Sequence, residues 1–172
     1  LTLAADNVGG GLFDMELATL QHMGGDIRFE AGVTGLMTEG GRVTGVFVGT
    51  EEIPADAVIL ACGGFEANSD LRKTWMGDNW DKAKVRGTPM NTGDGHQMAT
   101  GLNAQFYGLP EGCHATPMDL HMADYGGLHL PAAERKNYRK ICYFLGVMLN
   151  ANGERFVDEG ENFRDYTYAQ FG

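Results

Sequence analysis

Six consecutive residues, Ala57-Val58-Ile59-Leu60-Ala61-Cys62, are apolar, so a strand built from them would be apolar on both faces. Such a strand belongs in the middle of a covered, largely parallel sheet, with helices over both sides. The run ends in Gly63-Gly64-Phe65. In open α/β sheets ligands bind beyond the carboxyl ends of the strands, and residues without side chains let a ligand press against that end. Two glycines also serve simply as the turn into the next helical segment, Asn68 to Trp75, which Asn68 or Ser69 is placed to cap. The two roles are compatible.

Upstream, Leu12, Met15, Thr19 and Met23 recur at three- and four-residue spacing, which predicts an amphipathic helix opened by Gly9-Gly10-Gly11 and closed by Gly24-Gly25. Asp26 to Ala31 alternates as a strand does, and Val33 to Met37 extends it. Glu39-Gly40-Gly41 then turns the chain into Arg42 to Val48, giving a hairpin. Downstream, residues 77–85 read as a surface connection with Trp75 and Trp80 packing, and Asn103 to Tyr107 as a strand. Past Pro110 the chain becomes irregular until Cys142 to Asn150, an apolar strand that Asn152-Gly153 turns back into Glu154 to Asp158. This change of character places a domain boundary near residue 112, dividing the chain into 1–112 and 113–172. The expected fold class is α/β, becoming α+β at the C-terminal end.

The ten residues Arg86-Gly87-Thr88-Pro89-Met90-Asn91-Thr92-Gly93-Asp94-Gly95 hold three glycines, a turn proline and an arginine, just ahead of a helical pattern carrying Met98 and Leu102. Glycines allow close approach of backbone amides, and a helix N-terminus favours negative charge, so the stretch suits an anionic cofactor. Glycines that only serve tight turns would look the same.

The chain carries 23 acidic against 13 basic residues, a formal charge of -10. That balance argues against nucleic acid as a partner, and the group Arg135, Lys136, Arg139 and Lys140 reads as a solvated face. An anionic substrate must then be met by local arginines. The three cysteines, Cys62, Cys113 and Cys142, have no C-x-x-C spacing, which fits a reducing, cytoplasmic setting. No metal site is expected. No run approaches the roughly 18 apolar residues of a membrane span, and no signal peptide is evident. A start at Leu1 and an end within an aromatic helical pattern suggest an internal piece of a longer protein.

Taken in order, these signatures resemble the FAD-binding domain of the fumarate reductase/succinate dehydrogenase flavoprotein family. The resemblance spans essentially the whole chain. Arg86-Gly87-Thr88-Pro89, Gly112-Cys113-His114-Ala115 and the run Arg155 to Phe163 are most similar to its tricarballylate dehydrogenase branch. The resemblance implies part of a Rossmann-like FAD-binding domain with a β-hairpin insertion, followed by the start of a substrate-capping domain. It implies FAD contacts from Val33, Ala61, Gly63, Gly64, Thr92, Gly93, Asp94 and Gly95. It also implies that His114 and Arg86 bind substrate carboxylates, and that Arg164, paired with Asp165, relays the substrate proton. Arg164 lies one residue further from Arg155-Phe156 than in the fumarate reductases. An ordinary guanidinium holds its proton to a pKa above ~12, so Arg164 needs burial and tuning by Asp165 or Glu159.

The implied reaction moves a hydride from one carbon of a small polycarboxylate to flavin N5 and a proton from its neighbour to the protein, leaving a C=C bond. An electron-transfer partner is implied as well. The dinucleotide fingerprint G-x-G-x-x-G is not in this chain; Gly93-Asp94-Gly95-His96-Gln97-Met98 lacks the third glycine. The expected consequences are weak FAD binding by this piece alone, no turnover by it, and self-association through the edges of a sheet deprived of its first strand. Two other readings share these motifs: a 3-ketosteroid dehydrogenase or urocanate reductase, and a non-catalytic α/β binding domain on the same scaffold. Steroids would want an apolar cap with few arginines.

Overall fold

A computed structural model describes residues 8–109, 111–113, 115, 117–131, 134, 138 and 143–160. The chain forms two compact units, Leu1–Val58 and Ile59–Gly172, and the change of sequence character near residue 112 falls inside the second.

In the first unit, helix α1 spans Val8–His22. Gly9, Gly10 and Gly11 lie within its first turns rather than ahead of it. The chain leaves the helix through bonds from Gly24 N to Gln21 O (3.0 Å) and Gly25 N to Leu20 O (2.9 Å), with Gly24 at φ +81°. The apolar stripe expected to be buried is not: Leu12, Met15 and Met23 are more than half exposed.

Three strands follow, β1 (Gly35–Glu39), β2 (Arg42–Val48) and β3 (Glu51–Pro54), paired antiparallel in that order. Glu39 faces Arg42 across a two-residue turn in which Gly40 and Gly41 both have positive φ, the type I′ geometry that matches strand twist. The expected strand Asp26 to Ala31 does not form. Glu30 sits at φ +55°, which breaks an extended run, and Arg28 turns to pair with Glu51 at 2.9 Å. Sequence patterning missed β3, because three of its four residues are Glu or Pro and its pairing with β2 supplies what its composition lacks. Pro54 ends it at the sheet edge, where a missing N–H costs nothing.

In the second unit the apolar run that promised a central parallel strand forms no ladder, and Ile59 is 89% exposed. A strand exists only through its neighbours, and no described segment pairs with this one. The fold is α/β only in the coarse sense of mixed helices with a small antiparallel sheet. Helix α2 spans Ser69–Met76 and is capped by Asn68, whose Oδ1 accepts from Leu71 N (3.0 Å) while its Nδ2 donates to Thr92 O (3.0 Å). One side chain thus caps the helix and ties it to the glycine loop.

Residues 77–85 are not a loose connection. Arg72, 7% exposed, donates from Nε to Trp80 O (2.8 Å), from Nη1 to Glu66 O, and from Nη2 to Asp81 O (3.0 Å) and Ala83 O (3.2 Å). Its fork gathers a 3-10 turn, Trp80–Lys82, onto α2.

Helix α3 spans Asp94–Gly101. Asn103 at φ +62° closes it in a Schellman arrangement, with Asn103 N bonded to Thr100 O (2.9 Å) and Ala104 N to Ala99 O (3.1 Å). The strand expected over Asn103 to Tyr107 is therefore absent. Its first residues are spent on the cap.

Near the C-terminal end, Tyr143–Leu145 is a 3-10 turn, and the expected long hairpin shrinks to one bridge, Leu149 to Arg155. Cys142 lies outside the described residues. Asn150 Oδ1 accepts from Asn152 N (2.9 Å) and Glu154 N (3.0 Å), so the turn is held by a side chain.

Glu159 is buried, at 2% exposure, beside buried Val157. It accepts from Met148 N and from Arg155 Nε (3.0 Å), and these bonds hold its carboxyl at a pKa of about 2, below the ordinary 4.5. The unfolded chain binds this proton more readily than the folded one. The contribution of Glu159 is therefore complete above its ordinary value and is lost as pH falls through about 2. Urea midpoints measured between about pH 5 and pH 2 are expected to fall in the wild type, with a shallower fall in Glu159→Gln; parallel curves would assign the acid sensitivity elsewhere.

Candidate functional site

The second unit contains a cleft of about 830 Å³. One wall comes from Gly64, Phe65 and Glu66 and from Arg72 and Met76 of α2; another comes from Ala83 to Gly87. His96 of α3 closes one side, and Gly112, Cys113, Ala115, Pro117, Met118 and Met148 complete the lining. A smaller cavity of about 240 Å³ lies against Leu60, Cys62, Gly95, His96 and Phe106.

Three cations line the cleft among the described residues, and two are already committed. Arg72 spends its guanidinium on backbone carbonyls. Lys84 donates from Nζ to Leu120 O (3.1 Å) and Met122 O (2.8 Å), tying the 83–87 wall to a segment whose Met122 is fully buried. Arg86 makes no such bond among the described residues, and it is the cation the cleft offers a ligand. The rest of the lining is mostly apolar, with Phe65, Met76, Trp80, Val85, Met118 and Met148. Burial raises the Cys113 thiol above its ordinary pKa, so it lines the cleft as a neutral, weakly polar group.

The glycine loop meets the Gly63-Gly64 turn directly. Gly93 N donates to Gly64 O (3.1 Å), and Ala67 N to Asn91 O (2.9 Å). A Cβ on Gly63 would meet Asn91 Oδ1 at 2.5 Å, one on Gly64 would meet Glu66 Oε2 at 2.7 Å, and one on Gly95 would meet Cys62 Sγ at 2.5 Å. Asn91 Nδ2 in turn donates to Glu66 Oε1. The space left by these glycines is filled by the chain's own side chains, which is how two loops separated in sequence come together.

Among the residues singled out from sequence, Arg86 lines the cleft, while Gly63, Gly64, Thr92, Gly93, Asp94 and Gly95 form the contiguous loop pair beside it. Ala61 is exposed at the start of that pair. Val33 belongs to the first unit, ahead of β1, and is 39% exposed. His114 and Arg164 lie outside the described residues. Glu159, a candidate to tune Arg164, spends its carboxylate on Arg155 and on Met148 N–H. Sequence patterning missed Arg72, Lys84 and His96. The first two bind backbone carbonyls, which leave no residue signature.

A family model described as the FAD binding domain matches residues 4–171. The chain belongs to this FAD-binding family. Its cofactor is FAD. The domain is also similar to the 3-oxosteroid 1-dehydrogenases of two Mycobacterium tuberculosis strains, at 26% identity over 163 residues. That alignment covers 89% of this chain and 27% of each relative, so the FAD-binding chain spans about a quarter of their length. No solved structure matches it significantly.

The residues present are chemically suited to that cofactor. The first N–H groups of α3 have no partner within the helix, and such groups favour a negatively charged ligand. Asp94 is exposed, and Thr92 Oγ1 donates to its Oδ1 at 3.0 Å, which leaves the other oxygen for a sugar hydroxyl. No helix among the described residues is long and apolar enough to cross a membrane.

Proposed function

We propose that this domain serves an FAD-dependent dehydrogenase that forms, or in reverse reduces, a C=C bond beside a carbonyl in a largely apolar substrate of the 3-oxosteroid kind. The observation that carries this reading is the charge inventory of the cleft: mostly apolar walls, with Arg86 as its uncommitted cation among the described residues. A tricarboxylate would find one guanidinium free to bind it through hydrogen bonds, since Arg72 and Lys84 direct theirs to backbone carbonyls. The similarity to 3-oxosteroid 1-dehydrogenases points the same way.

FAD, when bound, accepts the hydride from one carbon while the protein takes the proton from its neighbour. In this assignment Ala61, Gly63, Gly64, Thr92, Gly93, Asp94 and Gly95 hold FAD, with Val33 as a further contact from the first unit. Arg86 donates to the substrate's carbonyl oxygen, favouring the negative charge that develops there as the neighbouring proton leaves. His114 assists in binding and Arg164 in moving the proton. Residues 1–112 belong to the FAD-binding part and 113–172 to the start of the cap. A second reading, oxidation of a tricarballylate-like polycarboxylate with the electrons passed on to an electron-transfer partner, is favoured by Arg86 itself, since a guanidinium fits a carboxylate bidentately.

Anaerobic titration of the FAD-loaded full-length parent with a 3-oxo-4-ene steroid and with tricarballylate separates the two. Bleaching of the flavin band near ~450 nm by the steroid supports the first reading, and bleaching by tricarballylate alone replaces it with the second. A protein that takes up no FAD would leave a binding module. Arg86→Met is expected to raise KM roughly 10- to 100-fold while the bound-flavin spectrum stays as in the wild type. An unchanged KM would remove Arg86 from the substrate site.

A further inference from the structure

Arg86 is a long side chain on the cleft wall with no hydrogen bond to fix its direction among the described residues, so its placement depends on what it packs against. Against it lies the turn Asp124–Gly127, in which Tyr125 (φ +54°), Gly126 (φ +63°) and Gly127 (φ +74°) are all left-handed. L-residues adopt that conformation at a cost and rarely in succession, and Tyr125 bears the cost without being glycine. The turn is nevertheless anchored. Gly126 N donates to Ala123 O (3.0 Å) and Leu130 N to Gly127 O (2.8 Å), Gly127 is buried, and Met122 just upstream is 2% exposed. A Cβ on Gly126 would stand 3.0 Å from the Arg86 carbonyl oxygen and 3.4 Å from Arg86 Cγ. The bare backbone of Gly126 is therefore the surface on which the backbone and stem of Arg86 rest. Two residues before Arg86, Lys84 Nζ donates to Leu120 O (3.1 Å) and Met122 O (2.8 Å). Both contacts join the same two segments, 84–86 and 120–126, one by hydrogen bonds from a charged group and the other by close packing.

We propose that Gly126 and Lys84 are positioning residues for Arg86: together they clasp the 84–86 wall to the 120–126 segment and hold the Arg86 stem ready for the substrate. The proposal rests on the reading of Arg86 as the donor that meets the substrate, a role that a carbonyl and a carboxylate share. Immobilising a free, long side chain costs a binding event roughly two- to tenfold in affinity, and a stem already ordered against Gly126 spares that cost.

The test uses the FAD-loaded full-length parent and KM for whichever of a 3-oxo-4-ene steroid and tricarballylate reduces its flavin. Gly126→Ala forces the Arg86 carbonyl back and is expected to raise KM about three- to tenfold, with the flavin spectrum unchanged. Lys84→Met is expected to do the same, and Lys84→Arg, which keeps donors for both carbonyls, to return KM to within about twofold of wild type. The deciding comparison repeats Gly126→Ala and Lys84→Met in Arg86→Met. Residues that act through Arg86 have nothing left to act on there, so KM is expected to move by less than about twofold further. An equal rise in both backgrounds would make these contacts general supports of the fold, or Lys84 a substrate contact, and overturns the proposal. A wild-type KM in Gly126→Ala overturns it as well. If Gly126→Ala does not fold, the Lys84 series decides on the same criteria. An Arg86→Met protein with wild-type KM is a different result: it removes Arg86 from the substrate site and the clasp with it, whereas a KM that depends on Arg86 but ignores positions 84 and 126 rejects the clasp alone.

Discussion

Arg72→Leu is expected to lower the stability of the second unit by about 3 kcal/mol or more, with Arg72→Lys intermediate. The argument starts from the carbonyls of Glu66, Trp80, Asp81 and Ala83, which all converge on one guanidinium of 7% exposure. Leucine fills much of the volume but leaves those oxygens without a donor, and a buried acceptor left unpaired costs about 1–3 kcal/mol. Lysine restores the charge with a single point of donation and cannot reproduce the planar fork. Trp80 gives its carbonyl to this knot and Trp75 lies on the same helix as Arg72, so intrinsic fluorescence in a urea titration reports on it. A loss below about 0.5 kcal/mol in Arg72→Leu would mean that water satisfies the carbonyls and the knot is incidental. The consequence reaches function, because the 80–83 segment leads directly into Lys84, Arg86 and Gly87 on the cleft wall. Ligand binding is expected to weaken even where Arg86 itself is untouched.

What the sequence disclosed and what it hid divide along a physical line. Turns and caps were legible because local sterics decide them: Gly40-Gly41 adopts positive φ between β1 and β2, Gly24 ends α1, and Asn68 caps α2. Features decided by distant partners were not. Ala57 to Cys62 has the composition of a central strand, yet no described neighbour pairs with it, and composition cannot supply a ladder. Glu51 to Pro54 has the opposite history, being too polar to suggest a strand but recruited by β2. Asn103 to Tyr107 alternates suitably for a strand, but the Schellman closure of α3 takes its first residues.

The site divides in the same way. Arg86 and the glycines of residues 93–95 announced themselves by type and spacing; Gly93 meets Gly64 directly, and Arg86 lines the same cleft as Gly64. The charge of the cleft did not. Arg72 and Lys84, which also line it, turn their N–H groups to backbone carbonyls and leave Arg86 as the uncommitted donor of the cleft among the described residues. His96 gave no signal at all, because its packing depends on Phe65 and Phe106, distant in sequence from each other.

Gly93→Ala is expected to be the most damaging small substitution in the glycine loop. Gly93 caps α3 at φ +85°, a conformation that costs an L-residue about 1–2 kcal/mol. Its Cβ would also stand 2.5 Å from Leu71 Cδ1 and 2.9 Å from Phe65 Cβ, and overpacking of this kind costs about 1–3 kcal/mol. Both penalties come from the one added Cβ, so the loss is expected to be at least about 1–3 kcal/mol. Gly101→Ala is the control: it lies in the same helix with nothing within 4 Å of its Cβ position and is expected to stabilise by about 0.5–1 kcal/mol. The comparison also decides what the glycine at 93 is for. If the chain's own packing requires it, Gly93→Ala destabilises the FAD-free protein as much as the FAD-bound one. If close approach of the cofactor requires it, the FAD-free protein is unaffected and the whole loss appears as weaker FAD binding, since a ligand stabilises only the state it binds. The contacts of Leu71 and Phe65 point to the first outcome, so that the glycine at 93 shapes the loop that holds FAD before the cofactor arrives.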